Sequence, residues 1–298
     1  MNVLITGANG QVGWELQRTL QTLGAVIACD RASLDLADAA AIRGKVREIR
    51  PDVILNAGAY TAVDKAESEP ELAMAVNGVA PGILAEEAKR LGALLVHYST
   101  DYVFDGTKAE AYLESDATNP ASVYGSSKLA GERAVEVVGG AYLIFRTSWV
   151  YAGRGRNFLL TILRLAGERE ELRVVDDQVG APTWCRTIAE ATAQVVAKIS
   201  SGGRIESDRA ADVRGIYNLT AGGRVSWCGF ARAIVEGTRG RRGGAGPKVT
   251  PIATAEYPLP ARRPANSVLS NQKFQRVFGL ACPAWDHALE LCLADRGA

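Results

Sequence analysis

Val3-Leu4-Ile5, a short apolar run, passes directly into Thr6-Gly7-Ala8-Asn9-Gly10-Gln11-Val12-Gly13, after which Val12, Leu16, Leu20 and Leu23 recur at helical spacing until Gly24. Strand, glycine turn and helix in that order leave few folds open. Glycines let the main chain approach an anion at a helix N-terminus, where free amides and the helix dipole favour negative charge. The spacing Gly7-x-x-Gly10-x-x-Gly13 differs from the commoner G-x-G-x-x-G, and a tight structural turn is the alternative reading. The context favours binding: the next strand, Val26-Ile27-Ala28-Cys29, ends in Asp30, 23 positions after Gly7, where a carboxylate would lie beside a ribose. The N-terminal stretch is therefore read as a dinucleotide site, with Gly7, Gly10, Gly13 and Asp30 as candidate cofactor residues.

Strands and helices alternate beyond it. Asp38 can cap a helix through Ile42, Val46 and Ile49 that Pro51 stops; Val53-Ile54-Leu55-Asn56 is a third strand, running into Ala57-Gly58-Ala59-Tyr60-Thr61. A helix is expected from about Pro70 to Arg90, a fourth strand at 93–98 running into Ser99-Thr100-Asp101, and a fifth at 141–145. Helical connections between short apolar strands mean a parallel sheet, with ligands beyond the strands' carboxyl ends. The fold class is α/β: a doubly wound, Rossmann-type parallel sheet with a smaller C-terminal α/β substrate domain. The division expected is 1–150 for the dinucleotide domain, with a return of the chain near 215–240, and 151–298 mainly for substrate. Ser201 to Arg214 reads as an exposed loop, and Gly240 to Gly246 as a mobile surface loop.

Tyr124-Gly125-Ser126-Ser127-Lys128 carries the chemistry. Residues four apart share a helix face, so phenol and ammonium would stand together, and the cation would draw the tyrosine below its usual value near ~10, making it a usable general acid. The motif alone is weak; it gains weight from the glycine turn and from Ser99-Thr100 at a strand end. His97, in an apolar strand, reads as a core histidine, and Glu15 and Glu190 read as helix-surface acids.

A net charge of +1 gives no electrostatic reason to expect nucleic acid or an acidic membrane as partner. Five scattered cysteines and two histidines suggest neither a disulfide framework nor a zinc site, and no run of apolar residues is long enough to span a bilayer. A reduced, cytoplasmic protein with a small-molecule substrate is expected.

Gly7/Gly10/Gly13, the strand His97-Tyr98-Ser99-Thr100-Asp101-Tyr102-Val103-Phe104-Asp105-Gly106 and Tyr124-x-x-x-Lys128 together resemble the extended short-chain dehydrogenase/reductases that act on nucleotide sugars. Gly10-Gln11-Val12-Gly13, the run from Tyr60 to Glu67, Arg146-Thr147-Ser148-Trp149-Val150-Tyr151 and Pro260-Ala261-Arg262-Arg263-Pro264 are similar, more narrowly, to the dTDP-4-dehydrorhamnose reductases among them. The resemblance implies an NADPH- or NADH-dependent oxidoreductase that reduces the C4 ketone of dTDP-4-dehydro-L-rhamnose. Tyr124 would protonate the developing alkoxide, Lys128 would hold the nicotinamide ribose, and Thr100 would polarise the carbonyl. Gly10, Gln11, Val12, Asp30, Asp35, Leu36, Ala59, Tyr60, Thr61 and Tyr98 would line the cofactor. Thr100, Asp101, Tyr124 and Trp149 would meet the sugar nucleotide; for Trp149 the rival reading is core packing. Arg262 and Arg263 are candidate diphosphate contacts.

A dehydratase would need a second carboxylate after the threonine, and Thr100 is followed by Asp101-Tyr102. An epimerase, or a regulatory relative that binds a partner protein, shares the fold. Asp30 suits the 2′-hydroxyl of NADH and the adjacent Arg31 the 2′-phosphate of NADPH. A homodimer is left open, as is magnesium, for which no site is assigned.

Overall fold

The computed structural model describes residues 1–238 and 246–296. The elements, in order, begin β1 (Asn2–Thr6), α1 (Gln11–Thr19), β2 (Ala25–Cys29), α2 (Ala39–Ile49), β3 (Val53–Asn56), α3 (Val63–Ala66), α4 (Pro70–Met74), α5 (Ala80–Leu91), β4 (Leu94–Thr100), α6 (Val123–Val138) and β5 (Tyr142–Thr147). β6 (Val150–Tyr151), α7 (Phe158–Glu168), β7 (Glu171–Val175), β8 (Val179–Gly180), β9 (Thr183–Trp184) and α8 (Cys185–Lys198) follow. Then come the strands β10 (Ser200–Ser201) and β11 (Arg204–Ile205), α9 (Ser207–Asp212), β12 (Gly215–Asn218), β13 (Val225–Ser226), α10 (Trp227–Gly237), β14 (Lys248–Ile252), α11 (Gln272–Phe278) and α12 (Trp285–Asp295).

Six parallel strands form the central sheet in the order β12-β5-β4-β3-β1-β2. β3, β4 and β5 are buried along their whole length, as strands covered on both faces must be. Alternation sorts their side chains. Val3, Ile5, Leu55, Val96 and Phe145 face the layer where α1 meets α8, while Leu4, Ile54, Leu95 and Ile144 face α2 and α5. A separate cluster, including Leu159, Leu172, Phe230, Ile234 and Leu289, joins α7, α10 and α12 around the paired strands β7 and β14.

The strand order reverses between β1 and β3, which opens a crevice beyond their carboxyl ends. Three local features differ from the sequence expectation. The helix expected from Pro70 to Arg90 is interrupted by a π-helical turn, Ala75–Val79, which frees the Asn77 side chain to bond both main-chain groups of Tyr60 and the Ser127 hydroxyl. Residues 201–214, expected as loop, make the β10-β11 ladder and α9. Glu15 is buried rather than on the surface, because Arg186 of α8 reaches it at 3.2 Å; Glu190 is exposed. The basic stretch Gly240 to Gly246 lies, but for Gly246, outside the described residues.

Candidate active site

The crevice is a cleft of about 520 Å³ between the turn after β1 and the segments after β3, β4 and β5. Gly7 makes the turn possible: its φ is +68°, and a Cβ on it would stand 2.6 Å from Gly58 Cα. α1 begins at Gln11 with no side-chain cap, so its first amides are left for a ligand. Gly10, Gln11 and Val12 line this floor; Gly13 does not, and instead lies beneath the turn against the Gly7 carbonyl. Asp30 stands on the wall at the end of β2, its carboxylate fixed by Ser33 and Asn9 and held below its ordinary pKa chiefly by the Ser33 hydroxyl. Asp35, Leu36, Ala59, Tyr60 and Thr61 share the wall, as does Arg31, paired loosely to Asp35 at 3.9 Å.

The reactive end is built by α6. Ser122 caps that helix by accepting from the Gly125 amide, which fixes where Tyr124 enters the first turn. Gly125 lies so close to the 3₁₀ turn Asp101–Val103 that a Cβ on it would overlap the Tyr102 carbonyl oxygen. Tyr124 and Tyr102 consequently meet edge to face with ring centres 5.5 Å apart. Burial pushes the Tyr124 phenol up to about 12, while a hydrogen bond with Thr100 works against it.

Here the sequence expectation for Lys128 needs correcting. Its amine does not act on the phenol; it donates to the Tyr98 carbonyl oxygen at 2.6 Å and lies 3.3 Å from His97 Nε2. The lysine is 2% exposed, and burial pushes its pKa down to about 8. A buried amine turns to the strand because a carbonyl oxygen there satisfies it at hydrogen-bond distance. Tyr98 lines the cleft but sends its own hydroxyl away, to Thr192 at 2.9 Å.

Thr100 Oγ donates to Asp101 Oδ1 at 3.0 Å, and burial raises the Asp101 carboxyl to about 6 against hydrogen bonds from Ser267 and Thr100. Neither Thr100 nor Asp101 lines the cleft. Trp149, at a φ of +47°, stacks face to face on Trp227 with ring centres 3.5 Å apart. Arg263 is bound to Asp64, whereas Arg262 is exposed.

The structure also brings in residues that the sequence reading did not single out as ligands. Ser99, next to last in β4, and Thr147, the last residue of β5, line the cleft and have buried hydroxyls with no protein partner. Arg156, Val150, Gly58 and Leu72 join the wall, and Trp227 supplies the indole beneath Trp149. Strand-end position was a readable signal for Ser99 and Thr147; for Arg156 and Trp227 local sequence offered none. A glycine floor, uncapped helix amides, a fixed carboxylate and two unpartnered hydroxyls fit a nicotinamide dinucleotide. Among the described residues no cluster of three His, Cys, Asp or Glu could hold a metal, and no helix is long and apolar enough to cross a membrane.

Known proteins match along the whole chain. The family model of the RmlD substrate binding domain matches residues 1–297. A dTDP-4-dehydrorhamnose reductase of Burkholderia thailandensis is 52% identical over 298 residues, covering 99% of each chain. A crystal structure of a dTDP-4-dehydrorhamnose reductase from Clostridium acetobutylicum superposes with a TM-score of 0.90 at 38% identity over 100% of both chains. One from Bacillus anthracis, in complex with NADP, does so with a TM-score of 0.88 at 35% identity over 99% of both.

Proposed function

Because the chain belongs to the family of the dTDP-4-dehydrorhamnose reductases, we propose that it reduces the C4 ketone of dTDP-4-dehydro-L-rhamnose to dTDP-L-rhamnose with NADPH or NADH. The observation that carries this reading is the placement of Tyr124, beside Thr100 and Tyr102, at the inner end of a glycine-floored cleft.

A bound reduced nicotinamide supplies the hydride. The protein's part is to hold and to protonate. The amides of α1 take the diphosphate, Asp30 the adenosine ribose, and Lys128 the nicotinamide ribose. Ser99 and Thr147 offer hydroxyls at the reactive end. With a pKa pushed up to about 12, Tyr124 keeps its proton throughout the neutral range and gives it to the carbonyl oxygen as negative charge develops there. Thr100 orients the phenol; to donate to substrate as well, its hydroxyl must turn from Asp101. Asp101, Trp149 and Arg262 face the sugar nucleotide in this reading, with residues 151–298 as the main substrate side and 1–150 as the cofactor side. A cytoplasmic location goes with this reading.

The test is nicotinamide absorbance with dTDP-4-dehydrorhamnose as substrate. Oxidation of the cofactor in proportion to dTDP-L-rhamnose formed supports the proposal; cofactor binding without turnover would favour the partner-binding alternative, and conversion of the substrate with no net loss of reduced cofactor would favour an epimerase.

A further inference from the structure

Behind Lys128 runs a buried chain of hydrogen bonds to which the proposed chemistry assigns no part. The Gly58 amide donates to Thr6 Oγ at 3.1 Å, the Thr6 hydroxyl donates to Asn56 Oδ1 at 2.7 Å, Asn56 Nδ2 lies 3.0 Å from His97 Nδ1, and His97 Nε2 lies 3.3 Å from Lys128 Nζ. None of these four side-chain-bearing residues is more than 2% exposed. The chain crosses three strands, from the cofactor turn to the lysine.

Its direction is set at the far end. A main-chain amide can only donate, so Thr6 Oγ accepts from Gly58, and because the Asn56 side chain presents its oxygen to Thr6 the hydroxyl proton goes to Asn56 Oδ1. That turns the amino group of Asn56 towards the imidazole. Nδ1 must then accept, which leaves the ring proton on Nε2, aimed at Lys128. Against an ammonium this N–H would set two donors face to face; against an amine it meets a lone pair. The bond from Lys128 to the Tyr98 carbonyl is available in either state.

We infer that His97, held in one tautomer by Asn56 and Thr6, is a positioning residue that on the alkaline side of neutrality keeps Lys128 an uncharged, accepting amine until the nicotinamide dinucleotide binds, when the lysine takes up a proton from solvent. The inference rests on the reading of Lys128 as a cofactor residue. Burial supports it, pushing the Lys128 pKa down to about 8 and keeping His97 neutral. The groups around the lysine leave the balance open to such control. On its own helix Glu132 favours the charged form but is bound by two oxygens to Arg146 of β5. The 3₁₀ turn brings Asp101 and Tyr102 near Tyr124. From α5, Glu87 turns away to Arg43 and Arg47 of α2 and to Arg90.

Two measurements test this, neither of them needing turnover. The chain has two histidines, so imaging the imidazole ¹⁵N resonances between pH ~6 and ~9 separates them readily. His97 must show Nε2 protonated and Nδ1 bare; the opposite tautomer overturns the proposal. Calorimetric binding of NADPH at pH ~9, in buffers of different ionisation enthalpy, should show uptake approaching ~1 proton in the wild type. In Asn56→Asp the carboxylate accepts from Nδ1–H, Nε2 becomes an acceptor for the ammonium, and uptake at the same pH should fall well below the wild-type value. No uptake in the wild type, or equal uptake in both proteins, also overturns it; should Asn56→Asp not fold, the wild-type tautomer and uptake decide alone. A protein that shows the tautomer and the uptake yet turns over no dTDP-4-dehydrorhamnose would sink the proposed substrate and leave this inference standing.

Discussion

Arg263 grips Asp64 across 199 positions of sequence, Nη1 3.0 Å from Oδ1 and Nη2 2.8 Å from Oδ2. The guanidinium holds the Asp64 carboxyl below its ordinary pKa, and the Ala261 amide adds a third bond. The arginine thus ties the proline-rich segment 257–264 to α3. Of the two arginines expected at a diphosphate, Arg262 is the one not committed to Asp64. Asp64→Ala and Arg263→Ala should each destabilise the fold, with a coupling of ~0.5–3 kcal/mol in the double mutant. Arg262→Ala should stay within ~0.5 kcal/mol of wild type in stability and raise the KM for the sugar nucleotide. Denaturant melts of the four proteins of the cycle decide it: strictly additive losses would mean that the ion pair contributes nothing.

What the sequence made legible here is local. Asp38 and the four-residue step from Tyr124 to Lys128 act through their nearest neighbours along the chain, Gly7 marks its turn by its own backbone freedom, and the apolar runs of β3 to β5 mark strands buried on both faces. What stayed hidden depends on partners far away. Spacing put Lys128 on the face of Tyr124 but could not show that β4 would offer it a carbonyl oxygen. Glu15 looks like a surface acid until α8 delivers Arg186 from 171 positions on. The π-helical turn at Ala75–Val79 has no periodic signature, since its purpose is to carry Asn77 to Tyr60 and Ser127.

Gly125→Ala should be among the most damaging single-methyl changes in the chain. The added Cβ meets the main-chain oxygen of Tyr102, which cannot swing aside as a side chain can. Either α6 moves out, carrying Tyr124 with it, or the turn after β4 gives way. A destabilisation of ~1–3 kcal/mol is expected from the overlap, with turnover lost beyond what the folded fraction explains. Melting temperature and kcat, measured on the same preparation, check this; wild-type kcat would mean that the helix and the turn need not touch.

Asp101 makes a prediction about pH. Its folded pKa, about 6, lies above the ordinary aspartate value near ~4, so the folded state binds the extra proton between those values. The sign follows: stability from this group is present at low pH and is lost as pH rises through about 6, an effect of order ~3 kcal/mol at most. Asp101→Asn removes the titration while keeping an acceptor for the Thr100 hydroxyl. The stability of the variant relative to wild type should therefore increase between pH ~4 and ~6.5 and level off above it. Parallel stability curves over that interval would show that the carboxyl does not titrate abnormally.

Tyr124→Phe separates the acid from everything that positions it. The ring and its edge-to-face contact with Tyr102 remain, the α6 cap at Ser122 is untouched, and only one hydroxyl is lost. NADPH binding should stay within a few-fold of wild type, while kcat falls by the ~10²- to 10⁴-fold typical of a missing general acid. The pH profile carries a second, sharper expectation. Burial holds the phenol at about 12, well clear of neutrality, whereas the buried amine of Lys128 titrates near about 8. Since kcat/KM for the cofactor reports ionisations of the free enzyme, its upper limb belongs to Lys128: activity is lost as pH rises through the lysine pKa and the cation the cofactor needs becomes scarce. That limb must keep its position in Tyr124→Phe, measured as residual turnover or as NADPH binding against pH, and must disappear in Lys128→Met. A limb that vanishes with the phenol and survives loss of the lysine would reverse the two assignments, making Tyr124 the group that titrates and Lys128 a bystander to it.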